Sequence, residues 1–126
     1  MGITTVGKAG LSNLCGGVSS PLAFTKLAVG TGTTAFSAAD TALGTEETGS
    51  GLAKATSTNT QITTTTTNDT TQATYTWSVS GTVTIAEVGF LDTTATPVLL
   101  ARQVLSSSRS VVNGDSFTLT AKIKFA

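Results

Sequence analysis

The stretch ATYTWSVS, residues 73–80, decides how the rest of the chain is read. Its even positions, Thr74, Thr76, Ser78 and Ser80, are hydroxylic, while its odd positions hold Ala73, Tyr75, Trp77 and Val79. A period of two with one apolar side is the mark of a strand with one dry face. Threonine, β-branched and stiff at χ1, suits the wet face. The C-terminal stretch repeats the pattern: Phe117, Leu119, Ala121, Ile123 and Phe125 point one way, and Thr118, Thr120, Lys122 and Lys124 the other. Asn113-Gly114-Asp115 before it supplies turn chemistry. Working outward, Thr82–Leu91 and Pro97–Val104 read as a hairpin across the polar segment 92–96, and Phe24–Val29 reads as a strand. Leu52–Thr66, almost wholly polar after Ala55, reads as an edge strand folded back at Asn68-Asp69.

The N-terminus follows another period. Ile3, Val6, Gly10, Leu11 and Leu14 recur at three to four residues, Thr4 or Thr5 can cap, and Gly16-Gly17 is a stop signal. One short amphipathic helix over 3–16 is expected. Gly7 and Gly10 lower its intrinsic stability by about 1 kcal/mol each relative to alanine, so it forms only when docked. Its apolar stripe covers either an open end of its own sheet or a neighbouring subunit, and the former is the simpler expectation. The expected architecture is therefore mainly β, an antiparallel β-sandwich or jelly-roll-like domain with one short N-terminal helix, and residues 1–126 form a single domain.

Composition narrows the function. The chain has 126 residues, formal net charge zero, one cysteine, no histidine and 11% charged residues. Such a chain can bury roughly two thirds of its unfolded surface without disulfides or metals. The first residues show no secretory pattern, and no apolar run approaches the ~20 residues of a membrane helix. A soluble, unprocessed protein without a membrane partner is expected. The basic footprint of a nucleic-acid binder is missing as well. Without histidine there is no ordinary catalytic triad and no imidazole metal ligand. Cys15 has no activating base and reads as a small hydrophobe on or near the helix. No catalytic residue, no cofactor and no metal site is expected; Asp40, Glu46 and Glu47 are the nearest approach to a cation set and read better as solvated. Asn68-Asp69-Thr70 matches a glycosylation sequon and reads more simply as a turn.

Gly30-Thr31-Gly32 tempts one to see a phosphate cradle. A dinucleotide fingerprint needs a third glycine in a βαβ unit, and a P-loop needs Gly-Lys-Ser/Thr; neither is present. Residues 30–51 read instead as an extended loop or assembly arm leaving a strand end, with Ser37 capping one helical turn over Ala38–Leu43 and Gly44 ending it. Phe36 and Leu43 are its expected anchors on a neighbouring chain. Glu87 shares parity with Ile85 and Leu91, and Arg102 with Leu100 and Val104. If Asp92 pairs with Pro97, Glu87 falls directly opposite Arg102, a structural ion pair of the kind that a carboxylate among apolar neighbours requires.

AVGTGTTAFSAADTALGTE, then IAEVGFLD, LLARQVL and NGDSFTLTAKIKF, resemble small virion proteins of tailed bacteriophages. The similarity is greatest to the collar-like N-terminal domain of phage tail fibres, where an AVG-G strand and loop precede an EVG-FD strand. The resemblance implies a non-enzymatic structural protein of the virion. A capsid decoration or cement protein is the leading role, because no shaft or receptor-binding tip follows the last strand. A tail, neck or baseplate accessory protein is the alternative, and a carbohydrate-binding module using Tyr75 or Trp77 is a third, weaker one. The implied partners are phage structural proteins, foremost the major capsid protein, together with further copies of the chain as a trimer or other homo-oligomer.

Overall fold

In the computed structural model, which describes residues 1–18 and 22–125, the alternation around Trp77 builds the middle strand of a three-stranded sheet. The described elements run β1 (Gly2–Ile3), α1 (Thr5–Gly16), β2 (Phe24–Gly30), β3 (Ala55–Thr56), β4 (Thr58–Ile62), β5 (Thr70–Ser78), β6 (Val83–Asp92), β7 (Leu99–Val111) and β8 (Ser116–Lys124). One sheet has the order β1-β7-β6-β2-β3 and the other β4-β5-β8, with every pairing antiparallel. The result is a two-sheet, sandwich-like arrangement, mainly β with one short helix, and not a closed barrel. Its core contains Leu27, Val29, Ile85, Val88 and Phe90 from the larger sheet and Ala73, Trp77, Ala121 and Ile123 from the smaller. These are the apolar positions of the two-residue period, so the dry faces meet.

One side of the sandwich is stitched shut. The run 52–66, expected as a single strand, breaks at Ser57, whose amide donates to Thr25 O at 2.8 Å while Asn59 Nδ2 donates to Phe24 O at 2.9 Å. The chain thereby passes from the larger sheet at β3 to the smaller at β4. It leaves β4 after Ile62 because the threonines that follow wrap a carboxylate. Asp69, buried, accepts the amides of Thr64, Thr65 and Thr66 at 2.9 Å each, and the hydroxyls of Thr64 and Thr70 at 2.7 and 2.9 Å. Successive amides aimed at one anion form a closed turn in place of a strand. Asp92 performs the same task in the β6–β7 hairpin, holding Thr94 and Val98 amides, and Asp115 holds Val112 at 2.8 Å in the β7–β8 turn.

The helix begins two residues later than its spacing indicates, since Ile3 belongs to β1, paired with Ala101. Thr4 is the N-cap, its Oγ accepting the Gly7 amide at 2.9 Å and donating to Leu99 O, and Gly17 ends the helix at φ +62°. The helix docks on β7 of its own chain. Here Gly7 and Gly10 change meaning. A Cβ at Gly7 would lie 2.4 Å from Leu100 O and 2.7 Å from Leu100 Cα, and one at Gly10 would lie 2.9 Å from the Phe24 ring. Both are close-approach positions that let helix backbone touch strand. Cys15 lies on the helix, as its position indicates, and is exposed.

Gly7→Ala therefore gains about 1 kcal/mol of helix propensity and loses more, because overpacking against unyielding backbone costs about 1–3 kcal/mol. The expected outcome is a lower melting temperature for the protein, alongside higher helicity for a peptide of residues 1–18 carrying the same change. A raised melting temperature of the whole protein would show that the helix is not seated on Leu100.

Candidate functional site

The outer face of the larger sheet is where the chain concentrates its buried charge. Along β6 the inward positions Ile85, Val88 and Phe90 alternate with Glu87, Gly89 and Leu91, and a bulge at Ala86 sets that phase. Leu91 joins Ala28, Leu43 and Leu99 in a second apolar cluster on the outer face, with Leu43 pressed against Gly89. Leu43 is thus an anchor within its own chain, buried to 8% exposure, and the expectation that it reaches a neighbour is corrected. The segment that carries it lies down on the sheet as a covering layer. It even pairs with it: Thr31 donates to Thr45 O and Glu47 to Val29 O, both at 2.9 Å, around a bridge between Gly30 and Glu46.

Glu87 and Arg102 lie under this layer, 0% and 2% exposed. Arg102 Nε donates to Glu87 Oε2 at 2.8 Å, and Nη2 lies 2.7 Å from the same oxygen. The other guanidinium donors hold the loop: Nη1 reaches Asp40 Oδ2 at 3.0 Å and Nη2 reaches Thr34 O at 2.8 Å. Glu87 accepts the amides of Gly44 at 3.0 Å and Thr45 at 2.7 Å. Each partner of the ion pair therefore grips a different part of the segment 34–45. The pair meets, but in another register than the one expected: Glu87 stands opposite Val104, and Arg102 opposite Gly89. A shift between Phe90 and Leu91 moves the ladder after the hairpin, which closes on Asp92 and Val98 and not on Pro97. Glu87 and Arg102 are diagonal neighbours, a span within reach of a long side chain.

The Gly-x-Gly motif now has a physical account. A Cβ at Gly30 would lie 2.4 Å from Thr45 O and 2.6 Å from Glu87 Oε1, and one at Gly32 would also lie 2.6 Å from that oxygen. The glycines make room for an anion, and the anion is the protein's own Glu87 carboxylate. In place of the helical turn expected after Ser37 there is a tight turn at Ala38-Ala39, closed by Asp40 N to Ser37 O and Ser37 N to Asp40 Oδ2, both 3.0 Å.

Asp40 is thereby committed to Arg102 and Ser37, and Glu47 Oε1 accepts the Gly49 amide at 2.8 Å. Among the described residues no cluster of three side chains forms a metal-ligand set. Phe36 is 38% exposed and its ring lies over Gly2. Spacing alone does not mark Asp69, Asp92 and Asp115 as the carboxylates that hold these turns. The signal available was each aspartate's place beside a turn, with a threonine one or two residues on in the first two cases.

Three carboxylates are held below their ordinary range. For Glu87, burial pushes the pKa up, but the Thr45 and Gly44 amides and the guanidinium of Arg102 outweigh it. For Asp40 the Ser37 amide leads, against desolvation, with Arg102 adding to it; for Asp69 it is the Thr66 amide, again against desolvation, followed by Thr64 and Thr65. Arg102 is raised: burial disfavours its charge, and Glu87 and Asp40 more than compensate. A carboxylate depressed on folding contributes stability that is complete above its unfolded pKa and lost as pH falls through the folded one. With ordinary values of 3.8 for aspartate and 4.5 for glutamate, the contribution is whole above about pH 5. Urea midpoints should be level from pH 5 to beyond neutrality, since there is no histidine to titrate, and fall steeply below about pH 4. Stability that rises on acidification would contradict the network.

Compared with known proteins, the chain matches no protein-family model, no curated protein and no solved structure.

Proposed function

We propose that the chain is a non-enzymatic structural component of a tailed-phage particle, a capsid decoration or cement protein, with a tail, neck or baseplate accessory protein as the other location. The observation that carries this reading is where the buried polar chemistry goes. Glu87, Arg102, Asp69 and Asp92 are buried, and each is bonded by the chain itself to fix a loop or turn. Among the described residues no buried side-chain nitrogen or oxygen lacks a partner. A catalytic site keeps some polar group poised for a substrate, whereas polar groups satisfied in this way rigidify a scaffold. The resemblance of the AVG-G and EVG-F stretches to virion proteins adds the particle. Phe36, with its ring at the surface of the clamped segment, remains the candidate contact with the major capsid protein.

The carbohydrate-binding alternative is less well supported. Trp77 is 2% exposed and its indole N–H is already held by Ala53 O at 2.8 Å, so it offers no stacking face. Antibody labelling of intact particles is the deciding experiment. Signal spread over the capsid supports decoration, and signal confined to one vertex or the tail selects the accessory role. Purified particles devoid of the chain, together with robust signal on a glycan array, would overturn the virion reading.

A further inference from the structure

We propose that β8 is a self-pairing edge: two copies join antiparallel along Ser116–Lys124, merging their three-stranded sheets into one continuous sheet. This inference stands on strand geometry and holds wherever the protein is located.

Among the described residues the smaller sheet ends at β8, which pairs with β5 on one side only. Its free side can be identified. Val79 N donates to Asp115 O and Phe125 N to Asp69 O, both at 2.8 Å, so at the two ends of the ladder the odd residues of this segment bond toward β5. Antiparallel ladders alternate, and the even residues therefore turn their amides and carbonyls outward. Ser116, Thr118, Thr120, Lys122 and Lys124 are all exposed. No proline and no bulge interrupts these nine residues.

The other edges are protected. β1 and β3 have two residues each, and β4 has five with no buried side chain. The outer edge of β7 beyond β1 is long but broken: its register with β6 jumps from Ile85–Arg109 to Glu87–Val104, which throws Leu105–Ser108 out of the ladder. Bulges and short strands guard those edges, and β8 carries neither; its guard against pairing is the exposed charge of Lys122 and Lys124 near one end.

A second copy fits this edge better than an arbitrary strand. With the twofold axis at Thr120, all nine residues overlap and every outward position meets an outward position. Thr120 faces its own copy, Thr118 faces Lys122, and Ser116 faces Lys124, giving about ten backbone hydrogen bonds. On the dry face Phe117 meets Ile123 and Leu119 meets Ala121, so the apolar row continues across the junction. The two lysines select the orientation. Parallel in-register pairing would set Lys122 beside Lys122 and Lys124 beside Lys124, whereas the antiparallel register gives each a hydroxyl neighbour. One strand pair buries less than the roughly 1,200–2,000 Å² of a stable complex, so the association is reversible and concentration-dependent.

The test is sedimentation across a wide concentration range, with amide exchange read residue by residue. The expected result is a monomer–dimer equilibrium in which Thr118, Thr120 and Lys122 amides gain protection as the dimer forms. Thr120→Pro deletes only an outward N–H, which an edge strand tolerates. It should raise the dimer dissociation constant by roughly 10–100-fold, since two hydrogen bonds vanish at the axis. If that variant fails to fold, exchange in the unaltered protein decides alone. A monomer at all concentrations overturns the proposal, as does a dimer whose β8 amides exchange as fast as in the monomer. Protection that appears only on adding another protein's extended segment overturns the second copy as occupant.

Discussion

Arg102→Met lowers stability by about 3–5 kcal/mol, because it leaves Glu87 charged, wholly buried and without its counter-ion. In a chain of this size that is a fall in melting temperature of about 10–20 °C. The loss is larger than the ion pair alone would suggest, since the same guanidinium ties Asp40 and Thr34 O and thus the loop that shields Glu87 from water. Adding Glu87→Gln should recover part of the loss. An amide at position 87 still accepts from Gly44 or Thr45 and carries no charge to bury, so the double variant should be more stable than Arg102→Met alone. Recovery would be incomplete, because Thr34 O loses its donor and Asp40 its counter-ion. Two single effects that simply add, with no coupling, would show that the two side chains do not share one buried site.

That pair also shows how far the sequence could be read. Parity along the two flanking strands was enough to put Glu87 and Arg102 on one face, because a two-residue period survives any even shift. The register was not legible. Pairing counted from the hairpin assumes an unbroken ladder, and the shift beside Leu91 is caused by Asp92 gathering Thr94 and Val98, a local side-chain preference with no periodic trace. The same limit applies to β7, which runs on through the polar stretch Ser106–Ser110, leaving its ladder with β6 after Val104 and rejoining it only at Arg109 and Ser110. Nor could spacing reveal why Gly7, Gly10, Gly30 and Gly32 are glycine. What each avoids is an atom distant in sequence, Leu100, Phe24, Thr45 or Glu87, and only the folded chain brings those together. Leu43 was legible as an anchor but not as an internal one: an apolar residue in a polar loop needs burial, and sequence does not say on which chain. Phe125 is the converse case. It continues the apolar parity of β8, yet it lies past the end of the strand and is 57% exposed.

The stretch that first pointed to a sheet gives the other large effect. Trp77→Ala is expected to cost about 3–5 kcal/mol. Trp77 sits on β5, opposite Phe117 of β8, with the Tyr75 ring 4.9 Å away edge-on and the Phe117 ring 6.1 Å away, both measured between centroids. It is the largest side chain in the core between the two sheets. Removing it opens a void that the β5–β8 ladder, nine residue pairs long, cannot easily close. It also frees Ala53 O, one of the bonds by which the segment before β3 is held against the smaller sheet. Trp77→Phe separates these contributions. It keeps most of the ring volume and loses the indole N–H, and should cost about 1 kcal/mol from the hydrogen bond plus a smaller packing term. Urea unfolding of the three proteins, followed by circular dichroism, measures both steps. Alanine and phenylalanine variants of equal stability would mean that the hydrogen bond to Ala53 outweighs the packing, and the dry face inferred from ATYTWSVS would lose its central role. An alanine variant as stable as the parent would place that face outward, and with it the alternation on which the whole sandwich rests.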